Sequence, residues 1–299
     1  MTPGTPTISL RQLREKYAQG VNIMAYLRET LGVSANTPEI VLQSYDLQAG
    51  SYVAGFDDYP EDSPGKVYRR EVASILANFP ADSVMEAGIG EATTLFYTAR
   101  QFPSARLFGF DISWSRLAVA REFLRERFVR NVALATGDLF SIPLPDSSVD
   151  LVYTSHSIEP NGGREVEAIR ELYRVARRWL VLIEPSSELG GEASQRRIDQ
   201  HGYCRDLVLH AQSLGLSIAE HRLLDCSARA ENQSALIVIK KSVPSADAEP
   251  RWACPACRTV LEEVKGHLYC GECLSVYPQL DGIPCLLRGN SVIASRYKE

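Results

Sequence analysis

Apolar residues recur along this chain with two different periods, and the places where the period changes divide it. Residues 8–48 carry helix-type spacing. Within them Thr37-Pro38-Glu39 opens a helix with a capping hydroxyl, a proline at the first helical position and an acid in the first turn. Ser63-Pro64 repeats that start ahead of Val67, Ala73, Ile75 and Leu76. From residue 83 short β-type runs (83–87, 106–110, 132–136, 149–154 and 179–184) alternate with amphipathic stretches such as 115–129 and 163–178. Strands alternating with helices of this length indicate βαβ units and a parallel sheet. Two further runs, 216–224 and 235–240, follow a helix around 204–214, and the segment joining them is too short for a helical crossover. That last pair is therefore antiparallel, which predicts an α/β fold with a seven-stranded, mostly parallel sheet whose last strand is reversed.

Beyond the sheet, 243–250 is rich in Pro, Ala and acids and reads as a linker. The expected divisions are an N-terminal helical segment or lid at 1–62, the α/β domain at 63–242, the linker at 243–250 and a small cysteine-rich domain at 251–299. A length of 299 residues accommodates one large domain and one small one.

The chemistry is expected at the C-terminal ends of the strands. Glu86-Ala87-Gly88-Ile89-Gly90-Glu91 follows the first strand, and glycines between a strand and a helix allow a sharp turn and close approach to a ligand. Asp111 ends the second strand, 21 residues after Gly90, where a carboxylate can accept both hydroxyls of a ribose. Gly137-Asp138 follows the third strand, where an acid can meet an adenine amino group. A nicotinamide or flavin dinucleotide competes for such a site, but its fingerprint places a third glycine where Thr93 stands. Glu91 at the helix entrance would also repel a pyrophosphate. A sulfonium cofactor carries no phosphate, and its ammonium group tolerates acids nearby.

Glu86-Ala87-Gly88-Ile89-Gly90, Asp111 and the run from Gly137-Asp138-Leu139 through Asp150 resemble the successive motifs of the class I, Rossmann-like S-adenosylmethionine-dependent methyltransferases. The resemblance covers residues 45–240 and includes the reversed final strand. It implies that Glu86, Gly88 and Gly90 hold the methionyl end of the cofactor, Asp111 with Ile112 the ribose, and Asp138 with Leu139 the adenine. Tyr45 and Tyr52 read either as a lid over the cofactor, with Tyr52 in the cofactor site, or as core residues. The departure from the family pattern is Glu91, where many members have a third glycine.

Of seven cysteines, five follow residue 250, which points to metal ligation in a reducing compartment. Cys254-Pro-Ala-Cys257 and Cys270-Gly-Glu-Cys273 are two knuckles separated by 12 residues. They supply four thiolates for a tetrahedral structural zinc, with a hairpin through 260–269 between them. Four cysteines close the coordination sphere to water, so this zinc is not catalytic; Cys285 reads as a buried apolar residue. The stretch from Tyr277 to Leu287 resembles the small zinc-ribbon proteins that activate transfer-RNA, ribosomal-RNA and release-factor methyltransferases, which implies docking or stabilisation.

After the fourth strand, His156 is the candidate catalytic base because its ordinary pKa is close to neutrality. The alternative is that it only packs on the cofactor or caps a helix. Glu159 and Asn161 read as turn residues more readily than as substrate contacts, and His201 and Tyr203 either as further pocket walls or as residues facing solvent or core. The arginines at 116–130 and 164–178 alternate with glutamates, the pattern of a solvated helix face.

These features predict a cytoplasmic methyltransferase acting on a small or medium metabolite such as a sugar, a lipid head group or a natural-product scaffold. An RNA base methyltransferase using the ribbon for recognition is the rival; the net charge of −5 and a tail with six basic and five acidic residues count against it. The Asn-Pro-Pro-Tyr signature of amino-group methylases is also absent. A non-catalytic cofactor-binding scaffold is the third alternative. No run approaches the roughly 18 apolar residues of a membrane span, and residues 1–17 lack the pattern of a secretory signal. Homo-oligomers and protein docking through the ribbon stay open.

Overall fold

The computed structural model describes residues 8–241 and 248–299; the start of the N-terminal segment and 242–247 of the linker region lie outside the described residues. Three short helices come first, α1 (Leu10–Ala18), α2 (Ile23–Leu31) and α3 (Pro38–Leu47), each with a side chain capping its N-terminus. Leu13, Ile23, Leu27 and Ile40 form their shared core. Helix α4 (Pro64–Leu76) leads into β1 (Ser83–Ala87), α5 (Thr93–Gln101), β2 (Arg106–Asp111), α6 (Trp114–Glu126), β3 (Val132–Thr136) and β4 (Val149–Ser155). Then follow α7 (Glu165–Val175), β5 (Ala176–Pro185), α8 (Glu192–His201), α9 (Leu207–Ser213), β6 (Ile218–Leu223) and β7 (Ser234–Lys240).

The seven strands form one sheet in the order β3-β2-β1-β4-β5-β7-β6. All pairings from β3 to β5 are parallel, and β7 is antiparallel to both β5 and β6, so the Rossmann-like sheet with one reversed strand is as expected. All five residues of β1 are buried, because helices cover both faces. One face packs Val72, Leu76, Leu95, Leu117 and Phe123 from α4, α5 and α6; the other packs Ile169, Leu172 and Leu207 from α7 and α9. The chain moves outward from β1 to β3 and then returns to β4 on the other side of β1. That reversal opens a crevice between the C-terminal ends of β1 and β4.

Helix α8 has no counterpart in the sequence pattern. Its residues are polar around most of the circumference, with Ile198 the buried apolar one, so periodicity does not reveal it; Gly202 ends it in the left-handed region at φ 65°. The expectation of a solvated arginine face on α6 fails at Arg116, which is buried.

After residue 248 come β8 (Glu262–Val264), β9 (His267–Tyr269), β10 (Ser275–Tyr277), β11 (Gln279–Leu280), β12 (Ile283–Pro284) and β13 (Val292–Ile293). The hairpin of β8 and β9 joins the two cysteine knuckles. This unit packs on the free edge of the large sheet. Cys285 bridges Thr136 in parallel sense, Ala253 donates its N–H to the Pro143 carbonyl at 2.9 Å, and Trp252 meets Phe108 edge-on. An otherwise open edge strand is thereby covered. Among the described residues, no helix is long and apolar enough to cross a membrane.

Candidate active site

The crevice at the strand reversal is a cavity of about 610 Å³. Its inner wall is the turn after β1, where Gly88 and Gly90 have φ of 71° and 55°. A Cβ on Gly88 would stand 2.4 Å from the Ser157 Cβ, and one on Gly90 2.6 Å from a guanidinium nitrogen of Arg116. Both positions therefore require glycine. Asp111 fixes this turn: one carboxylate oxygen accepts the Gly90 N–H and the other the Ser113 N–H, each at 2.9 Å. Glu86 is buried and accepts a hydrogen bond from the Tyr153 hydroxyl at 2.7 Å. Burial pushes its carboxyl up to about 8 against that bond. Asp138 accepts the Phe140 N–H at 2.9 Å, and burial raises its pKa as well.

Glu91 is turned away from the role a third glycine would have. Fully buried, it accepts backbone N–H groups from Gly50 at 3.1 Å, Tyr52 at 3.0 Å and Val53 at 2.9 Å. Arg116 lies 3.7 Å from the same carboxylate and against the rings of Tyr45 and Tyr52, with centroids at 4.9 and 4.5 Å. This buried charge pair ties the segment after α3 to the β1 turn. The N-terminal helices are held at three further points, one of them Asp46 of α3, which accepts the Ser113 hydroxyl at 2.7 Å and the Ser115 N–H at 3.3 Å. Arg28 donates to the His201 carbonyl, and Asn36 to the Pro160 carbonyl, each at 2.8 Å. Together these contacts close the helices over the strand ends.

The outer part of the cavity is built around His156, which adopts φ 60°, a conformation unusual for a residue with a side chain. Its Nδ1 lies 2.6 Å from Glu159 Oε2 and its Nε2 2.7 Å from the Ser234 hydroxyl. Asn232 donates to the other oxygen of Glu159 at 3.1 Å. Burial alone would lower the His156 pKa, but the charge and hydrogen bond of Glu159 outweigh it and the net direction is upward. Burial likewise opposes ionisation of Glu159, and His156 overrides it, holding that carboxyl below its ordinary range. Glu184 stands behind the cavity wall and accepts the backbone N–H groups of Ser157, Ile158 and Glu159. Burial raises it to about 7. Asn161 donates to the Ser157 carbonyl as a turn residue.

The structure brings Tyr52, Glu86, Gly88, Gly90, Asp111, Ile112, Asp138, Leu139 and His156 to one cavity, which His201 and Tyr203 also line. Sequence reasoning missed Arg69, which donates to the Thr93 hydroxyl at 3.0 Å beside Glu86, and also Arg197 and Asn232. No motif marks these three. Arg69 and Arg197 come from helices α4 and α8, and Asn232 from the loop that leads into the reversed strand β7.

Cys254, Cys257, Cys270 and Cys273 lie outside the cavity with their sulfurs all within 4.8 Å of one another. The Cys254 and Cys273 sulfurs are 3.7 Å apart, close to the ~3.8 Å edge of a sulfur tetrahedron around zinc with bonds of ~2.3 Å. The residue after each knuckle, Arg258 and Leu274, takes a positive φ, so the two knuckles turn alike. The first knuckle also touches the loop after β3. Ser141 Oγ donates to the Pro255 carbonyl at 2.5 Å, and Arg288 donates to both.

A doubly wound α/β domain with a cavity lined by Glu86, Asp111 and Asp138 at its strand reversal is the class that fold and site define. The expectation that Glu91 repels a phosphate at the helix entrance fails, because its carboxylate is buried against Arg116 and the backbone of residues 50–53. Residues 84–178 match the family model of a methyltransferase domain. Among curated proteins, the chain is 28% identical over 109 residues to a demethylmenaquinone methyltransferase of Listeria welshimeri, covering 36% of this chain and 46% of that one. It is 33% identical over 75 residues to the corresponding enzyme of Anoxybacillus flavithermus, covering 25% and 31%. The chain thus spans about half the length, or less, of the curated relatives it matches. Among solved structures, the [4+2]-cyclase SpnF aligns with a TM-score of 0.55 at 18% identity, covering 70% of this chain and 97% of that one. Magnesium protoporphyrin IX methyltransferase from Synechocystis, solved with S-adenosylhomocysteine, aligns with a TM-score of 0.52 at 16% identity, covering 69% and 100%. These likenesses show the fold.

Proposed function

We propose that the protein is an S-adenosylmethionine-dependent methyltransferase acting on a small-molecule acceptor, with a structural zinc in its C-terminal ribbon. The observation that carries this is that Glu86, Asp111 and Asp138 line one cavity together with a glycine turn that a Cβ would fill. The donor set fits a cofactor with a sulfonium, an ammonium, a ribose and an adenine. Glu86 takes the ammonium, Asp111 the ribose hydroxyls beside Ile112, and Asp138 with Leu139 the adenine; Arg69 takes the amino-acid carboxylate. Bound there, the cofactor supplies an electrophilic methyl group on sulfur.

The chain's own residues do the rest. Tyr52, with the N-terminal helices anchored by Glu91, covers the cavity and excludes water, and positioning the acceptor in line contributes several kcal/mol toward the barrier. His156 in its neutral form accepts the acceptor's proton at Nε2 once the Ser234 hydroxyl, 2.7 Å from that nitrogen, turns away from it, while Glu159 holds the ring at Nδ1 and stabilises the imidazolium. The four cysteines hold zinc with no position open to water, so its contribution is to the fold of residues 251–299. A small acceptor is supported by the covering helices and by the curated relatives, which are named for a demethylmenaquinone. An extended RNA strand would have to enter beneath those helices.

A methyl-transfer screen with labelled cofactor against metabolite extract, total RNA and protein lysate tests the proposal. Label is expected in the small-molecule fraction. Label in RNA overturns the acceptor class, and failure to bind the cofactor overturns the activity. Metal analysis is expected to give one zinc per chain, lost in Cys254→Ser.

A further inference from the structure

We infer that the acceptor is a small anion, its carboxylate or phosphate held by Arg197, that also offers a hydroxyl or N–H to Asn232. This rests on the methyltransferase proposal, since it names what that site accepts. The two ends of the cavity differ in charge. At the inner end Glu86, Asp111 and Asp138 stand with two guanidiniums, Arg69 and Arg116, so the charges there offset one another. At the outer end Arg197 and Arg229 join His156, and the facing carboxylate is Glu159.

Glu159 is already committed to His156 through one oxygen and to Asn232 through the other. The acids of helix α8 are committed too: Glu192 pairs with Arg196 and Asp199 with Arg205. Arg197, on the same helix, has no carboxylate partner among the described residues. Its Nε is buried without a hydrogen-bond partner, and the Tyr203 hydroxyl stands 3.5 Å from Nη2. A partly buried guanidinium left without an anion is unfavourable, and its planar fork matches a carboxylate or phosphate through two parallel bonds.

Asn232 gives the second half of the recognition. Its Nδ2 donates to Glu159, which fixes the amide orientation, because the reverse would set two oxygens against each other. Its Oδ1 is then a buried acceptor without a partner. An unsatisfied buried acceptor calls for a donor, and Asn232 lines the cavity with its Nδ2 3.3 Å from His156 Nδ1, on the Glu159 side of the ring. A donor hydroxyl or N–H held there orients the molecule beside the His156 ring on its Nδ1 side, so the proton that Nε2 accepts belongs to another group of the same molecule, while the anionic group reaches Arg197.

The full-length protein saturated with S-adenosylhomocysteine is titrated calorimetrically with benzoate, phenyl phosphate and neutral benzyl alcohol. One or both anions are expected to bind saturably, at least about tenfold more tightly than the alcohol, as a bidentate guanidinium site requires. The tighter of the two tells carboxylate from phosphate. Arg197→Gln is expected to abolish that preference while S-adenosylhomocysteine affinity stays within about twofold, which also shows that the variant is folded. Equal binding of anion and alcohol by the wild type overturns the inference without recourse to any variant. So does a preference that survives in Arg197→Gln. If S-adenosylhomocysteine itself does not bind, the methyltransferase proposal fails first; if it binds and the anions do not, the acceptor assignment alone falls.

Discussion

At the inner end of the cavity, Glu86, Gly88, Gly90, Asp111 and Asp138 come from three successive junctions at the C-terminal ends of β1, β2 and β3. At the outer end, His156, Arg197, Tyr203 and Asn232 come from the loop after β4, helix α8, the turn behind it and the loop before β7. The inner residues are held chiefly by backbone, as when Asp111 accepts two main-chain N–H groups. The outer ones are held by one another, through the chain Ser234–His156–Glu159–Asn232. The topology therefore dictates the first set, whereas the second depends on inserted segments that can vary without altering the sheet. A site common to many acceptors belongs at the first end and a site particular to one acceptor at the second.

The sharpest way to separate the two ends is to remove His156. His156→Ala is expected to lower kcat by about 10²- to 10⁴-fold, the usual worth of a general base, with cofactor affinity unchanged by calorimetry. Because His156 works in its neutral form and its pKa is raised above the ordinary ~6.5, wild-type turnover should fall as pH drops through that raised value. A flat profile from pH 6 to 9 would remove the base and leave His156 a packing residue.

Glu91→Ala tests what joins the ends. It leaves three backbone N–H groups and the Arg116 guanidinium without their buried carboxylate. Breaking one side of such a buried arrangement costs about 3 kcal/mol. Urea denaturation should show that loss, and hydrogen exchange should show residues 50–53 losing protection. If stability holds, the N-terminal helices are kept in place by Arg28, Asn36 and Asp46 instead.

Asp111→Ala acts on the inner end. It removes two charge-assisted hydrogen bonds within the turn as well as the proposed ribose contacts, so cofactor affinity should fall about 100-fold. Asn232→Ala should leave that affinity within about threefold. Comparable losses in both variants would mean that the cofactor spans the whole cavity and that the distinction between the ends is mistaken.

How far the sequence revealed each end follows from the same difference. The order of strands and the inner residues were legible because each acid or glycine directly follows an apolar run, and the sheet places such positions on one rim. The cysteine knuckles were legible from local spacing. The docking of that unit on β3 was not, since Thr136 and Cys285 meet across 149 residues with no local signal. Helix α8, which carries Arg197, is too polar to show a period. The role of Glu91 was hidden for another reason: its partners are backbone N–H groups, which every sequence possesses.

The smallest expected effect is also the most specific to the inner end. In the free protein burial holds Glu86 up to about 8, so it carries a proton at neutral pH. The cofactor's ammonium group favours the ionised carboxylate, so binding must release that proton. Affinity should then rise with pH, by up to about tenfold per unit, for as long as Glu86 is protonated in the free protein and ionised in the complex. The rise should level off near pH 7.5, where an α-amino group of pKa ~7.7–8.0 begins to lose its own proton. Calorimetry at pH 7 in buffers of differing ionisation enthalpy should count close to one proton released. Glu184, at about 7, titrates in the same range, but it stands behind the 157–159 turn at the outer side. Glu86→Gln therefore decides the matter: it should bind more weakly and with a flat pH dependence, whereas a slope that persists would assign the proton to Glu184 and tie cofactor binding to the outer end after all.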